Sequence, residues 1–143
     1  MNTKKVIYSL RNISYITDII YKGLQKTNII LLKGDIGAGK TTLTKYIVSR
    51  LGGNHDDVTS PTFNLAHRYN IKKSYIWHLD LYRIRSSNEL INLGIEDALK
   101  NSILIIEWGD VIEPYFYGTS YLNIFLFFTN NINIRKIEIT LIS

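Results

Sequence analysis

Ile29-Ile30-Leu31-Leu32-Lys33-Gly34-Asp35-Ile36-Gly37-Ala38-Gly39-Lys40-Thr41-Thr42-Leu43 carries the decisive pattern in this chain. A short apolar run comes first, at Ile29 to Leu32. Glycines follow at positions 34, 37 and 39, and then Lys40-Thr41-Thr42. Leu43, Ile47 and Leu51 repeat at helical spacing beyond it. Strand, glycine loop and helix is the setting in which G-x-x-x-x-G-K-[ST] becomes a phosphate cradle.

The loop chemistry is specific. Gly34, Gly37 and Gly39 have no Cβ, so the backbone can lie close to a polyphosphate. Asp35, Ile36 and Ala38 complete the cage, whose successive N–H groups form an anion-binding nest. The start of the following helix adds its positive dipole end. Lys40 is placed between the β- and γ-phosphates, Thr41 offers a hydroxyl to phosphate-bound Mg2+, and Thr42 is placed for the α-phosphate.

Working outward, 143 residues suit one domain spanning 1–143. Hydrophobic residues at 45% and charged residues at 20% give an ordinary globular balance. The absence of cysteine excludes disulfides, thiolate metal sites and a cysteine nucleophile. The N-terminus leads into no apolar signal core, and no apolar run approaches a membrane span, so a cytoplasmic location is expected. A net charge of +5 is compatible with contact to nucleic acid or an acidic partner, but it is spread along the chain and no aromatic-plus-basic reader motif stands out.

Residues 4–10 read as an edge strand, and Asn12 or Ser14 as the cap of a helix to about Lys26 with Ile13, Ile16, Ile20 and Leu24 on one face. Gly52-Gly53 ends the helix after the loop. Phe63 to Tyr69 and Tyr75 to Tyr82 alternate and are joined by a polar turn, which predicts an antiparallel hairpin. Phe63, Leu65 and His67 share one face. A helix from Ser86 or Ser87 breaks at Gly94 and resumes at Ile95. Ile103 to Ile106 is continuously apolar, as in a strand covered on both faces. Tyr121 to Phe128 and Ile132 to Leu141 predict two closing strands around a turn at Asn130-Asn131. The fold expected is α/β: a P-loop NTPase-like three-layer sandwich, whose central mixed sheet includes an antiparallel hairpin and antiparallel C-terminal strands.

A phosphate loop needs a carboxylate at the end of a neighbouring strand to hold the magnesium shell. Glu107 fits best, because four apolar residues precede it. Asp80 is the second acid, placed to orient the attacking water or a metal-bound water, and the two roles are interchangeable at this level. Asp80 also has Arg83 and Arg85 nearby as salt-bridge partners. His78 and Asp80 at i, i+2 lack a third metal ligand, so His78 reads as packed and hydrogen-bonded. Thr62, after Ser60-Pro61, is either placed to sense the γ-phosphate or part of a plain turn leading into a strand, and spacing alone does not separate the two. Trp108 is either core or a relay of nucleotide state.

The ordered set Gly34 to Thr42, Ser60-Pro61-Thr62-Phe63, His78-Leu79-Asp80-Leu81-Tyr82-Arg83, Gly94-Ile95-Glu96-Asp97 and Ile106-Glu107-Trp108 resembles the TsaE family, formerly YjeE. The resemblance covers nearly the whole chain. It implies an ATPase that serves threonylcarbamoylation of adenosine 37 in tRNA with the TsaB–TsaD pair, with tRNA reached indirectly through that complex. It gives Lys40 to the phosphates, Thr41 and Glu107 to Mg2+, Asp80 an essential acid's role and Trp108 a switch role. Arg83 or a partner is left to supply an arginine finger. Gly109 replaces the proline frequent after the family's tryptophan, which predicts a looser segment there. A small-molecule kinase is disfavoured by the lack of an arginine-bearing lid. A nucleotide-dependent docking module without hydrolysis stays open.

Overall fold

The computed structural model describes residues 2–61, 65–92 and 94–143. Seven strands form one sheet: β1 (Thr3–Tyr8), β2 (Ile29–Lys33), β3 (Ala66–Asn70), β4 (Tyr75–Asp80), β5 (Ser102–Glu107), β6 (Tyr121–Phe128) and β7 (Arg135–Ile142). Their spatial order is β1-β7-β6-β2-β5-β4-β3. The inner four, β6-β2-β5-β4, run parallel, and antiparallel pairs flank them on both sides.

The continuously apolar run Ile29 to Leu32 becomes β2 because both of its faces are covered. All four residues are fully buried. Ile30 and Leu32 face one layer, with α1 (Ile13–Gly23) and α2 (Lys40–Arg50); Ile29 and Leu31 face the other. The second layer contains α3 (Ser87–Asn92) and α4 (Ile95–Asn101), which give it Leu90 and Ile95. Helix α1 buries Ile13, Ile16 and Ile20, as their spacing predicts. The three-layer α/β architecture expected from the sequence is therefore present.

Some boundaries differ from the sequence reading. Helix α1 stops at Gly23, and Lys26 lies in the turn beyond it. Strand β3 starts at Ala66: Leu65 has φ 61, a left-handed conformation that does not continue a strand. Phe63, expected on the same strand, lies outside the described residues. Strand β7 starts at Arg135 rather than Ile132, because the intervening turn is stabilised by its own side chains. Asn131 N donates to Thr129 Oγ1 at 3.2 Å and Asn133 N to Asn131 Oδ1 at 2.9 Å. Strand β6 pairs in parallel with β2 as well as antiparallel with β7, a connection its alternation alone does not specify.

Candidate functional site

Parallel order puts the C-terminal ends of β2, β4 and β5 on one edge of the sheet, where open α/β sheets place ligands. The glycine loop leaves β2 at that edge. Gly34 has φ 148, and a Cβ there would lie 2.8 Å from the Leu126 carbonyl oxygen. Only glycine permits this close crossing of β6. The backbone closes on itself through Ala38 N to Asp35 O at 3.0 Å, and Gly39, at φ 105, turns the chain into α2. From β7, Arg135 Nε donates to Ala38 O at 3.2 Å and braces the loop.

Lys40 is buried at the first position of α2. Its ammonium donates to Gly34 O at 2.6 Å and Asp35 O at 3.2 Å, and lies 5.4 Å from the centre of the Trp108 ring. The cation is thus held inside the loop by carbonyls and one aromatic face. Trp108 itself has φ 56, uncommon for a bulky residue, and its ring meets Tyr82 edge-on at 5.1 Å.

The two acids are brought together by register. Asp80 ends β4 and Glu107 ends β5; the two are directly paired across parallel strands, and Glu107 is also paired with Leu32 of β2. They are 4% and 3% exposed, which is rare for carboxylates without a functional or paired role. Asp80 Oδ1 accepts from Tyr82 N at 3.0 Å. His78 Nε2 donates to Glu107 Oε1 at 2.9 Å. A cavity of about 440 Å³ is lined by Gly37, Lys40, Thr41, Asp80, Glu107 and Trp108, with Ile36, Gly39, Thr42, Ser60 and Tyr82 completing its wall.

Most of the residues singled out in the sequence thus converge on one cavity. Arg83 does not line it; it lies in the exposed turn after Asp80. Thr62 lies outside the described residues. Gly109 has a different meaning from the one the missing proline suggested. It is buried, and a Cβ there would lie 2.9 Å from Leu31 Cδ2, so close packing on β2 rather than looseness calls for glycine. The residues after it are tied to the root of the loop: Lys33 Nζ is 3.3 Å from Asp110 Oδ1 and 3.1 Å from Glu113 Oε2. Burial pushes the Glu113 carboxyl up, but hydrogen bonds from Tyr121 and Lys33 outweigh it and leave it below its usual value.

The donors present fit magnesium rather than a metal caged by protein. Among the described residues, no group of three or more His, Cys, Asp and Glu is placed to hold a metal ion. A threonine hydroxyl and one or two carboxylates beside a phosphate loop form the partial shell that Mg2+ accepts, with water and phosphate supplying the rest.

A second cavity, of about 670 Å³, continues from Gly39 and Thr42. Its other walls come from the turn after β1, including Ser9 and Arg11, and from the β6–β7 turn, including Asn131 and Ile132. Sequence reasoning missed these residues. Asn130-Asn131 was legible only as a turn, and no local pattern links it to residues 8–13.

The parallel sheet, glycine loop and strand-end acids define a nucleotide-binding protein of the P-loop class. The family model described as threonylcarbamoyl adenosine biosynthesis protein TsaE matches residues 7–137. The chain belongs to the TsaE family. A tRNA threonylcarbamoyladenosine biosynthesis protein TsaE from Rickettsia prowazekii is 41% identical over 92 residues, which are 64% of this chain and 64% of that protein. The namesake from Rickettsia bellii is 34% identical over 79% of this chain and 78% of its own length. The matches thus span less than two thirds of the Rickettsia prowazekii relative, and more of the Rickettsia bellii one. In fold, the chain is similar to the crystal structure of Bacillus subtilis YdiB, with a TM-score of 0.65 and 23% identity over 100% of this chain and 89% of that one. Among the described residues, no helix is long and apolar enough to cross a membrane.

Proposed function

We propose that the chain binds ATP with Mg2+ and hydrolyses it to ADP and phosphate, in the service of threonylcarbamoylation of adenosine 37 in tRNA. The observation that carries the reading is the pairing of Asp80 with Glu107 in the cavity that Lys40 and Thr41 line. The relatives' names support the tRNA role, and the TsaB–TsaD pair is the proposed partner. The site is cytoplasmic on this reading.

In this arrangement the loop amides and Lys40 hold the β- and γ-phosphates, exchanging two carbonyl contacts for phosphate oxygens. Thr41 and Glu107 hold the metal, which when bound neutralises charge on the phosphates. Asp80 orients the attacking water. Its backbone contact from Tyr82 leaves the second oxygen, Oδ2, for that task. Positioning and fixed charge do the work, with no covalent step on the protein. The second cavity receives ribose and base. Among the described residues no arginine lines the phosphate cavity, so turnover alone is slow and the partner pair raises it.

Phosphate release, measured with and without the TsaB–TsaD pair, tests this. Glu107→Gln and Lys40→Ala each abolish the stimulated rate on this reading. Unchanged release by either variant removes the assignment of the site. Transfer of the γ-phosphate to a small acceptor instead of water points to a kinase. Nucleotide binding without hydrolysis in the assembled complex points to a docking module.

A further inference from the structure

Buried polar groups run from the floor of the phosphate cavity to the segment that borders it. Glu107 Oε1 accepts from His78 Nε2 at 2.9 Å. On the other side of the imidazole, His78 Nδ1 is 3.1 Å from the Tyr69 hydroxyl. That hydroxyl also reaches Thr59 O at 3.1 Å. His78 is 0% exposed and Tyr69 4%. The hairpin register makes the chain of contacts possible: alternation on β3 and β4 puts Tyr69 and His78 on one face, with ring centres 5.9 Å apart. Thr59 directly precedes Ser60, which lines the phosphate cavity.

Burying three polar side chains in a row is unfavourable unless each is paired, and these are. The pairing leaves one hydrogen in contention. A carboxylate only accepts, so His78 Nε2 carries a hydrogen toward Glu107. In the neutral imidazole Nδ1 is then an acceptor. The single phenol hydrogen of Tyr69 faces two acceptors at equal distance, Nδ1 and the Thr59 carbonyl. Displacing Thr59 frees that hydrogen for Nδ1, which strengthens the hold of His78 on the ring's other neighbour, Glu107. His67 Nδ1 sits at the outer end, 3.2 Å from Thr59 Oγ1 and 3.4 Å from the Tyr69 hydroxyl.

We infer that Tyr69 and His78 are positioning residues that couple the setting of Glu107 to the segment at Thr59 and Ser60. The inference rests on the proposed reading of the cavity as an ATP–magnesium site. His78 fixes one oxygen of Glu107 and leaves Oε2 to face the metal. Tyr69 conveys where the bordering segment stands.

The test uses the full chain, a non-hydrolysable ATP analogue and magnesium alone as probes. Two quantities are read: the gain in analogue affinity on replacing EDTA with magnesium, and the magnesium-induced change in amide exchange at Thr59 and Ser60. Tyr69→Phe keeps the ring and removes only the hydroxyl. It is expected to cut the magnesium gain about tenfold, within the range for residues that orient metal ligands, and to abolish the exchange response. His78→Phe cuts the gain by about 10- to 100-fold. His78→Gln restores an N–H donor toward Glu107 and recovers most of it. If Tyr69→Phe lowers the melting temperature too far for binding work, His78→Phe against His78→Gln carries the test, and an equal magnesium gain in the two overturns the positioning role of His78. A Tyr69→Phe chain with native magnesium gain and native exchange response overturns the coupling. A native chain whose affinity ignores magnesium removes the reading of the cavity itself, and this inference with it.

Discussion

The two ends of the cleft follow opposite plans. The phosphate end is backbone from one short segment, residues 34–42, bent by glycines and rooted in the central strand β2. The proposed nucleoside end is side chains and turns from three distant parts of the chain: residues 8–13, the start of α2, and residues 131–135. On the proposed reading the first end recognises a group common to all nucleotides, so a fixed nest of amides suffices. The second, on the same reading, meets a base and a ribose, which differ among ligands. Consecutive residues therefore build the general part, and tertiary assembly builds the selective part.

Removing the cation gives the largest expected effect on this contrast. Lys40→Ala is expected to lower ATP hydrolysis by about 100-fold or more, on the scale of losing one preorganised charge contact. Steady-state phosphate release measures it. A milder loss means that the amide nest alone carries the phosphate end.

Gly34→Ala comes next. Its Cβ would press on the Leu126 carbonyl, from a φ that alanine adopts only with strain. A destabilisation of about 1 to 3 kcal/mol in chemical denaturation is expected, together with loss of analogue binding. Native stability with native binding breaks the claim that glycine geometry shapes this end.

Arg135→Ala sharpens the comparison because Arg135 touches both ends. It braces Ala38 O and lines the second cavity. ATP affinity is expected to fall about tenfold, equivalent to about 1.4 kcal/mol, while inorganic triphosphate loses less. Calorimetry on both ligands separates the two. Equal losses assign Arg135 to the phosphate end alone.

The smallest effect is confined to alkaline pH. Burial pushes the phenol of Tyr8, at the second cavity, from the usual 10 up to about 12, with the Arg135 charge opposing it. Burial likewise pushes Tyr69, near the phosphate end, to about 12; its bond to Thr59 opposes this and the Glu107 charge adds to it. The folded state therefore keeps protons that the unfolded chain gives up between these values. Stability is full below pH 10 and falls as pH rises toward 12. Tyr8→Phe is expected to flatten that fall and leave neutral-pH stability nearly unchanged, as read from urea unfolding at a series of pH values.

The same contrast explains what the sequence disclosed. The spacing of Gly34, Gly37, Gly39 and Lys40 encodes a local shape, so loop, strand and helix were legible together. Glu107 was legible because an apolar run fixes a strand end. Asp80 was legible as an acid on an alternating strand, but its pairing with Glu107 depends on register between segments 27 residues apart, which no local pattern records. The parallel pairing of β6 with β2 and the cavity that Ser9 and Asn131 both line were hidden for the same reason. Leu65 shows a different failure: alternation predicted a strand through it, while its positive φ reflects a backbone bend that apolar periodicity does not report.

Because β2 has neighbours on both edges and a helical layer on each face, no partial opening of the sheet's rim can expose it. Its amides should be among the last in the molecule to exchange with solvent, at a free energy equal to that of global unfolding. The nest is rooted in that strand at one end and in α2 at the other, while its tip, Asp35 to Gly37, is exposed. A ligand arriving there finds both ends of the loop already anchored, and on the proposed reading nucleotide-dependent movement falls to Ser60 and Trp108, which line the cavity.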